Sequence, residues 1–329
     1  MQIASVTASE HADFLALVNA EIRPDRAKTN AWEDFPLILS PENREWQLVC
    51  HAPDGSLAAG VACLIRDYET SCGRVAVAGI GSVVTAPAFR GQGLSSALQS
   101  ELLARLKGKN IPLGVLWTDR PAIYAGRGFV AAGWEYHVDL ERAQLPAPTV
   151  ADGGLRDYHD ADAPHVEALY HAHRLHTWRR AGDSRQLYGM AGTWGRVAVD
   201  RDDKPLAALF CGKGADFQGY AAEWSGPSRL VLALLTDAVG RGLAHHVLVP
   251  AGAERFVDTL VQHGAAWFGQ ASGYWVVIDP APLMAAVRAG GLPPPPLPAD
   301  PTAWLGCVDE MGRPQRGLLE IAVWGLDSV

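Results

Sequence analysis

The feature that most constrains this chain is a strand, a glycine turn and a helix start in direct succession between Val75 and Leu106. The run Val75-Ala76-Val77-Ala78-Gly79-Ile80-Gly81-Ser82-Val83-Val84 is apolar and rich in β-branched residues, the pattern of a buried strand. Thr85-Ala86-Pro87-Ala88 ends it, because Pro87 cannot donate to a ladder. Phe89-Arg90-Gly91-Gln92-Gly93-Leu94-Ser95-Ser96 comes next. A helix follows, with Leu94, Ala97, Leu98, Leu102, Leu103 and Leu106 at three- and four-residue steps, and Gly108 and Asn110 end it. Glycines at such a turn let the backbone approach a ligand closely, and the free N–H groups and dipole of the helix start favour an anion. The same two glycines also suit a plain packing turn. No Gly-Lys-Ser/Thr follows, which excludes a Walker A loop, and a dinucleotide fingerprint lacks its third glycine and its downstream acid.

Two further stretches separate these readings. Ile111 to Trp117 reads as a strand, and Ile123-Tyr124-Ala125-Gly126-Arg127-Gly128-Phe129 lies beyond it. Together with Arg90-Gly91-Gln92-Gly93-Leu94-Ser95 this resembles the GNAT superfamily of acyl-CoA-dependent N-acetyltransferases. Its pyrophosphate loop reads Gln/Arg-x-x-Gly-x-Gly/Ala and its later motif aromatic-Tyr-x-x-x-Gly-Phe. Ser95 departs from the usual Gly or Ala but is still small. The resemblance covers roughly the first 140 residues. It implies acetyl-CoA as co-substrate, held by Arg90, Gly91, Gln92, Gly93, Leu94, Ser95 and Ser96 at its pyrophosphate. The backbone of Val83, Val84 and Thr85 would pair with the pantetheine arm, and Asp119 would lie beside the cofactor. Tyr124 stands where the superfamily has its acid, its alternative being a packed core aromatic.

The 329 residues suggest two domains, and 48% hydrophobic with 19% charged residues describes a chain able to build sizeable cores. A formal charge of −8 argues against a nucleic-acid partner and suits a cationic amine acceptor. The five cysteines are scattered with no Cys-x-x-Cys pair, so neither a disulfide framework nor a zinc site is expected, and a reducing cytoplasm fits. No signal peptide or membrane-length apolar run is read, so a cytoplasmic location away from membranes is expected. A homo-oligomer is left open.

In chain order, a helix is expected from about Glu10 to Glu21, and a hairpin from Trp46–His51 and Leu57–Arg66 around Pro53-Asp54-Gly55. The intervening Trp32, Glu33, Asp34 and Phe35 form either an aromatic and acidic rim for the acceptor amine or an exposed loop anchored by two aromatics. After a strand at Trp134–Leu140 and a linker at residues 144–148, the next 120 residues repeat the order of elements. Ser225-Gly226-Pro227-Ser228 replaces the glycine loop there, and Pro227 removes a donor. The fold expected is α/β (α+β): two tandem GNAT-like domains, each a twisted, mostly antiparallel sheet flanked by helices. The divisions are residues 1–146 (catalytic), 150–282 (degenerate) and 283–329 (a Pro-rich linker and an apolar tail). The four histidines from His165 to His176 lack the spacing of a metal site and read as a solvated or interdomain face.

Among tandem GNAT proteins the chain looks like the Eis-type aminoglycoside acetyltransferases, most clearly at Ile123 and Tyr124 and approximately at Asp119. That resemblance implies N-acetylation of a small-molecule amine. The alternatives are an acyl-CoA sensor without turnover and an enzyme acylating a protein amine. In the Eis-type group the C-terminal carboxylate reaches the active site of the first domain. The tail Leu318 to Val329 is apolar nearly to its end, so either Val329 or Asp327 would accept the amine proton, or Ile321 to Leu326 would only complete a sheet.

Overall fold

The computed structural model describes residues 2–24, 30–296 and 300–329. Part of the Pro-rich stretch therefore lies outside the described residues. The chain begins with β1 (Ile3–Ser5), α1 (His11–Ile22), α2 (Ala31–Asp34), β2 (Gln47–His51), β3 (Leu57–Thr70) and β4 (Gly73–Thr85). It continues through α3 (Leu94–Gly108), β5 (Leu113–Leu116), α4 (Ala122–Ala125), β6 (Val130–Ala131) and β7 (Glu135–Asp139). The second half runs β8 (Gly153–Asp157), α5 (Ala163–His171), β9 (His176–Trp178), α6 (Asp183–Tyr188), β10 (Trp194–Asp200), β11 (Pro205–Lys213) and β12 (Asp216–Ser225). After these come α7 (Ser228–Gly240), β13 (His246–Pro250), α8 (Glu254–Gln262), β14 (Ala266–Gln270), β15 (Tyr274–Val277) and α9 (Pro280–Ala289).

Beside a small two-stranded pairing of Gly306–Val308 with Pro314–Arg316, two large sheets result, each mostly antiparallel with one parallel pair, β4 on β5 and β12 on β13. Their strands do not follow the linear division of the sequence. The first sheet has the order β1-β2-β3-β4-β5-β15-β6, and the second β14-β7-β13-β12-β11-β10-β8. Strand β7, expected in the first domain, therefore pairs in the second sheet between β14 and β13. Strand β15, expected in the second, fills the first sheet between β5 and β6. A boundary at residue 146 does not separate the sheets.

The exchange depends on two chain segments crossing at close quarters. Gly133 has φ +66°, and a β-carbon there would lie 2.4 Å from Ser272 Oγ. Only glycine meets both the left-handed backbone and the contact. Trp134 and Trp275, one and three residues further along the two segments, are 1% and 0% exposed and anchor the crossing from both sides. Strand β9 adds a second link, pairing with Asp67–Glu69 of β3. His176 thus sits in a strand at the interdomain face, and α5 ends at His171.

One hydrophobic core is shared by the halves: Phe14, Val18, Ile38 and Leu64 pack with Leu187, Tyr188, Phe210 and Leu326. The tail is buried as expected, with Leu319, Ile321, Ala322, Val323, Trp324 and Leu326 at most 2% exposed. It completes no sheet. Trp324 Nε1 donates to the Leu175 carbonyl at 3.2 Å, and a short 3₁₀ turn at Gly325–Asp327 precedes the end. Full burial of side chains of this size stabilises by about 1.5–3 kcal/mol each, which holds the chain end against fraying.

Because β5 has no other partner for its outer edge, residues 1–146 expressed alone should not fold cooperatively. Co-expression with residues 147–329 should restore a complex. A sharp thermal transition in the isolated fragment, followed by circular dichroism, would contradict the exchange.

Candidate active site between the splayed strands

Strands β4 and β5 pair only at Val77–Leu113, Ala78–Gly114 and Gly79–Val115. Beyond Gly79 they part. The cause lies in β4: Gly60 of β3 opposes Val84 and Ala62 opposes Gly81, so Ser82 and Val83 stand against the single residue Val61. Ser82 takes φ +52°, and this bulge bends the strand away from β5. The gap is part of a cavity of about 530 Å³. Ile80, Gly81, Ser82 and Val83 form one wall and Leu116, Trp117, Thr118, Asp119 and Tyr124 the other. Phe35, Phe217 and the chain end, Ser328 and Val329, close it.

Tyr124 is held by α4, a single turn whose ring packs edge-on against Phe129 with centroids 5.9 Å apart. Burial pushes its phenol pKa up, with Asp119 adding to the rise and Arg127 opposing it. The hydroxyl is therefore protonated at neutral pH and available as a donor.

The glycine turn before α3 is open on its outer side. Gly91 and Gly93 both have φ +76°, and a β-carbon at either would meet nothing within 4 Å. Glycine is needed there for backbone conformation, and the space above the loop is open. Gly93 precedes the first turn of α3, whose N–H groups have no helical partner. Leu94, 7% exposed, pins the turn to the core with Leu98, Leu102 and Leu106. Gln92 and Ser96 are exposed, and Ser95 Oγ accepts from Gln99 Nε2 at 2.8 Å.

Several expected site residues are placed elsewhere. The side chain of Val84 packs into the interdomain core, which leaves the expected role of its backbone untouched. Arg90 turns back onto its own surroundings, its Nη2 donating to Glu21 and its Nε to the Thr85 carbonyl at 3.3 Å. Of the four residues Trp32 to Phe35, only Phe35 lines the cavity. Glu33 caps α2 by accepting from the Asn30 backbone at 3.1 Å, and Trp32 is 39% exposed. Asp34 is buried and accepts from Arg23 Nε at 2.6 Å. These acids serve local structure, because a short helix start and a neighbouring arginine satisfy them first.

The chain end reaches the cavity. A β-carbon at Gly79 would lie 2.7 Å from Val329 Cγ2, and one at Gly81 would lie 3.3 Å from the Val329 carboxyl carbon. Two small residues in β4 thus make room for the last residue of the chain. Asp327 is engaged elsewhere, accepting from Arg179 Nε at 2.9 Å and from Tyr170 Oη at 2.6 Å in a buried network, so it does not face a substrate amine. Phe217 and Asp216, contributed by β12, were not signalled by any local motif.

Residues 2–132 match the family model for the acetyltransferase (GNAT) domain. This part of the chain is a GNAT acetyltransferase domain. Comparison with curated protein sequences gives no match. A GCN5-related N-acetyltransferase from Kribbella flavida superposes with a TM-score of 0.64 at 20% identity, covering 87% of this chain and 73% of that one. Eis1 from Mycobacterium abscessus does so with 0.61 at 16% identity, covering 88% and 76%. Saccharomyces cerevisiae N-myristoyltransferase with bound myristoyl-CoA gives 0.52 at 14%, covering 83% and 77%. The shared fold spans both sheets, so the GNAT-like arrangement is tandem. Among the described residues no cluster of His, Cys, Asp or Glu could hold a metal ion, and no helix is long and apolar enough to cross a membrane.

Gly79→Ala should crowd the last residue and lower stability by about 1 kcal/mol. Removing Val329 from the same variant should restore the loss, as measured by denaturant unfolding. An equal loss with and without Val329 would mean that the glycine serves the sheet instead.

Proposed function

We propose that the chain transfers an acetyl group from acetyl-CoA to a primary amine of a small molecule by direct attack. The observation that carries the reading is that Tyr124 and the terminal residue Val329 line one cavity beside the unpaired edge of β4. The Gly91–Ser96 backbone would bind the pyrophosphate through its N–H groups. Main-chain groups beyond Gly79, which β5 leaves free, would pair with the pantetheine arm and polarise the thioester oxygen.

The amine nitrogen attacks the thioester carbonyl, the tetrahedral adduct collapses, and the C–S bond breaks. Tyr124 donates a hydrogen bond to the departing sulfur. A thiol pKa near ~8.5 against a phenol near ~10 makes full transfer uphill by about 2 kcal/mol, and the burial of Tyr124 widens that gap. The phenol therefore acts through a hydrogen bond that strengthens as thiolate charge grows. The ammonium proton leaves for the Val329 carboxylate, the acid at the chain end that borders the cavity. A cationic amine acceptor fits the net charge of −8, and small-molecule specificity fits a cavity narrowed by Phe35 and Phe217.

The test is CoA-thiol release across a panel of amines. Tyr124→Phe should lower kcat by ~10²-fold while leaving acetyl-CoA affinity within about twofold. Tight acetyl-CoA binding with turnover on no small amine would favour a sensor or a protein acceptor. Calorimetry should give one acetyl-CoA site per chain, abolished by Gly93→Glu, because Ser225–Ser228 lacks the glycine loop. Two sites of similar affinity would overturn that count.

A further inference from the structure

We infer that Lys213 of the second half is a positioning residue for the reaction, holding Ser328 so that the terminal carboxylate stays in the cavity. The inference rests on the reading of Val329 as the base. Lys213 ends β11 and is 2% exposed. Its Nζ donates to the Ser328 carbonyl and, at 2.7 Å, to Ser328 Oγ. Phe35, which also lines the cavity, lies under it with the ring centroid 5.3 Å away.

Lysine is among the residues least often buried, since removing an ammonium from water is costly. Burial draws this one down to about 8, with Asp216, Asp327 and Asp34 holding it up and Arg23 opposing them. An apolar side chain of similar volume would pack the site at less cost. What the ammonium adds is two directed bonds to the residue next to the terminus.

The neighbouring residues are fixed in the same way. Asp327 accepts from Arg179 and Tyr170, and Arg179 in turn donates to Glu223, with Nη1 to Oε1 at 3.0 Å. Ser328 Oγ donates to the Gly325 carbonyl at 2.7 Å. Val329 itself rests on Gly79 and Gly81. Tyr170, Arg179 and Lys213, which donate to residues 327 and 328, all belong to the second half. That half lacks a phosphate loop, and its role in the reaction is to aim the chain end into the site of the first.

The experiment compares Lys213→Met, a chain lacking Val329, and the two combined, using the amine that the wild type turns over best. Lys213→Met should lower kcat by ~10-fold or more with KM for acetyl-CoA within about twofold, as expected when an oriented group is loosened. The combined variant should be no slower than the truncation alone. Carboxypeptidase, followed by mass spectrometry, should release Val329 at least ~10-fold faster from Lys213→Met than from wild type, as expected when an ordered end is freed. Ser328→Ala, which removes one acceptor at the surface of the clamp, should show a smaller change in the same direction and serves if Lys213→Met does not fold. Wild-type kcat in the lysine variant, multiplicative losses in the combined variant, or unchanged Val329 release would each overturn the inference while leaving the base intact. Wild-type turnover in the truncated chain would overturn the base, and this inference with it.

Discussion

The pairing of β15 with β5 is the contact on which the rest of the molecule depends. Its four residue pairs, Tyr274–Leu116 through Val277–Leu113, fill the outer edge of β5 with a strand from more than 150 residues later in the chain. With β7 sent the opposite way into the second sheet, neither half has a complete sheet of its own. The two halves are therefore held at a fixed relative position by main-chain hydrogen bonds as well as by the shared core. A cavity lined by residues of both halves keeps its shape only with that rigidity, because loosely docked domains would let its walls shift.

The same constraint explains why the cavity can be open in the middle of a sheet. Splaying β4 from β5 exposes unpaired main-chain groups, which is costly in a buried position. Here β5 keeps its pairing on the other side through β15, and β4 keeps β3 along nearly its whole length. Each strand retains one complete ladder, and only the facing edges are left for a ligand. The Ser82 bulge sets where the opening starts.

Buried charge is concentrated where the second half meets the tail. Arg179 and Glu223 are 0% and 2% exposed at their side chains, and Asp327 is 5% exposed. Such a network is weak evidence for stability, since apolar residues of like volume would often do as well. Its directed bonds specify one arrangement of the chain end, which hydrophobic burial of Ile321 to Leu326 could not do alone.

The sequence by itself determined the local parts of this protein: the buried strand of β4, the glycine turn around 91 and 93, the leucine face of α3, and a tail too apolar to remain in solvent. These follow from periodicity and backbone preference over a few residues, where local physics is strong enough to be read. Tertiary structure alone decided the exchange of β7 and β15, because strand composition states that a strand is buried and not which edge it fills. It also decided that Glu33, Asp34 and Arg90 would find partners next to them, and that Val84 would face the interdomain core. Lys213 shows the difference most clearly: in the sequence it is one cation at the end of a strand, and its partner, Ser328, lies 115 residues away. A hydrogen bond across that separation leaves no periodic trace, so only the folded chain brings the two together.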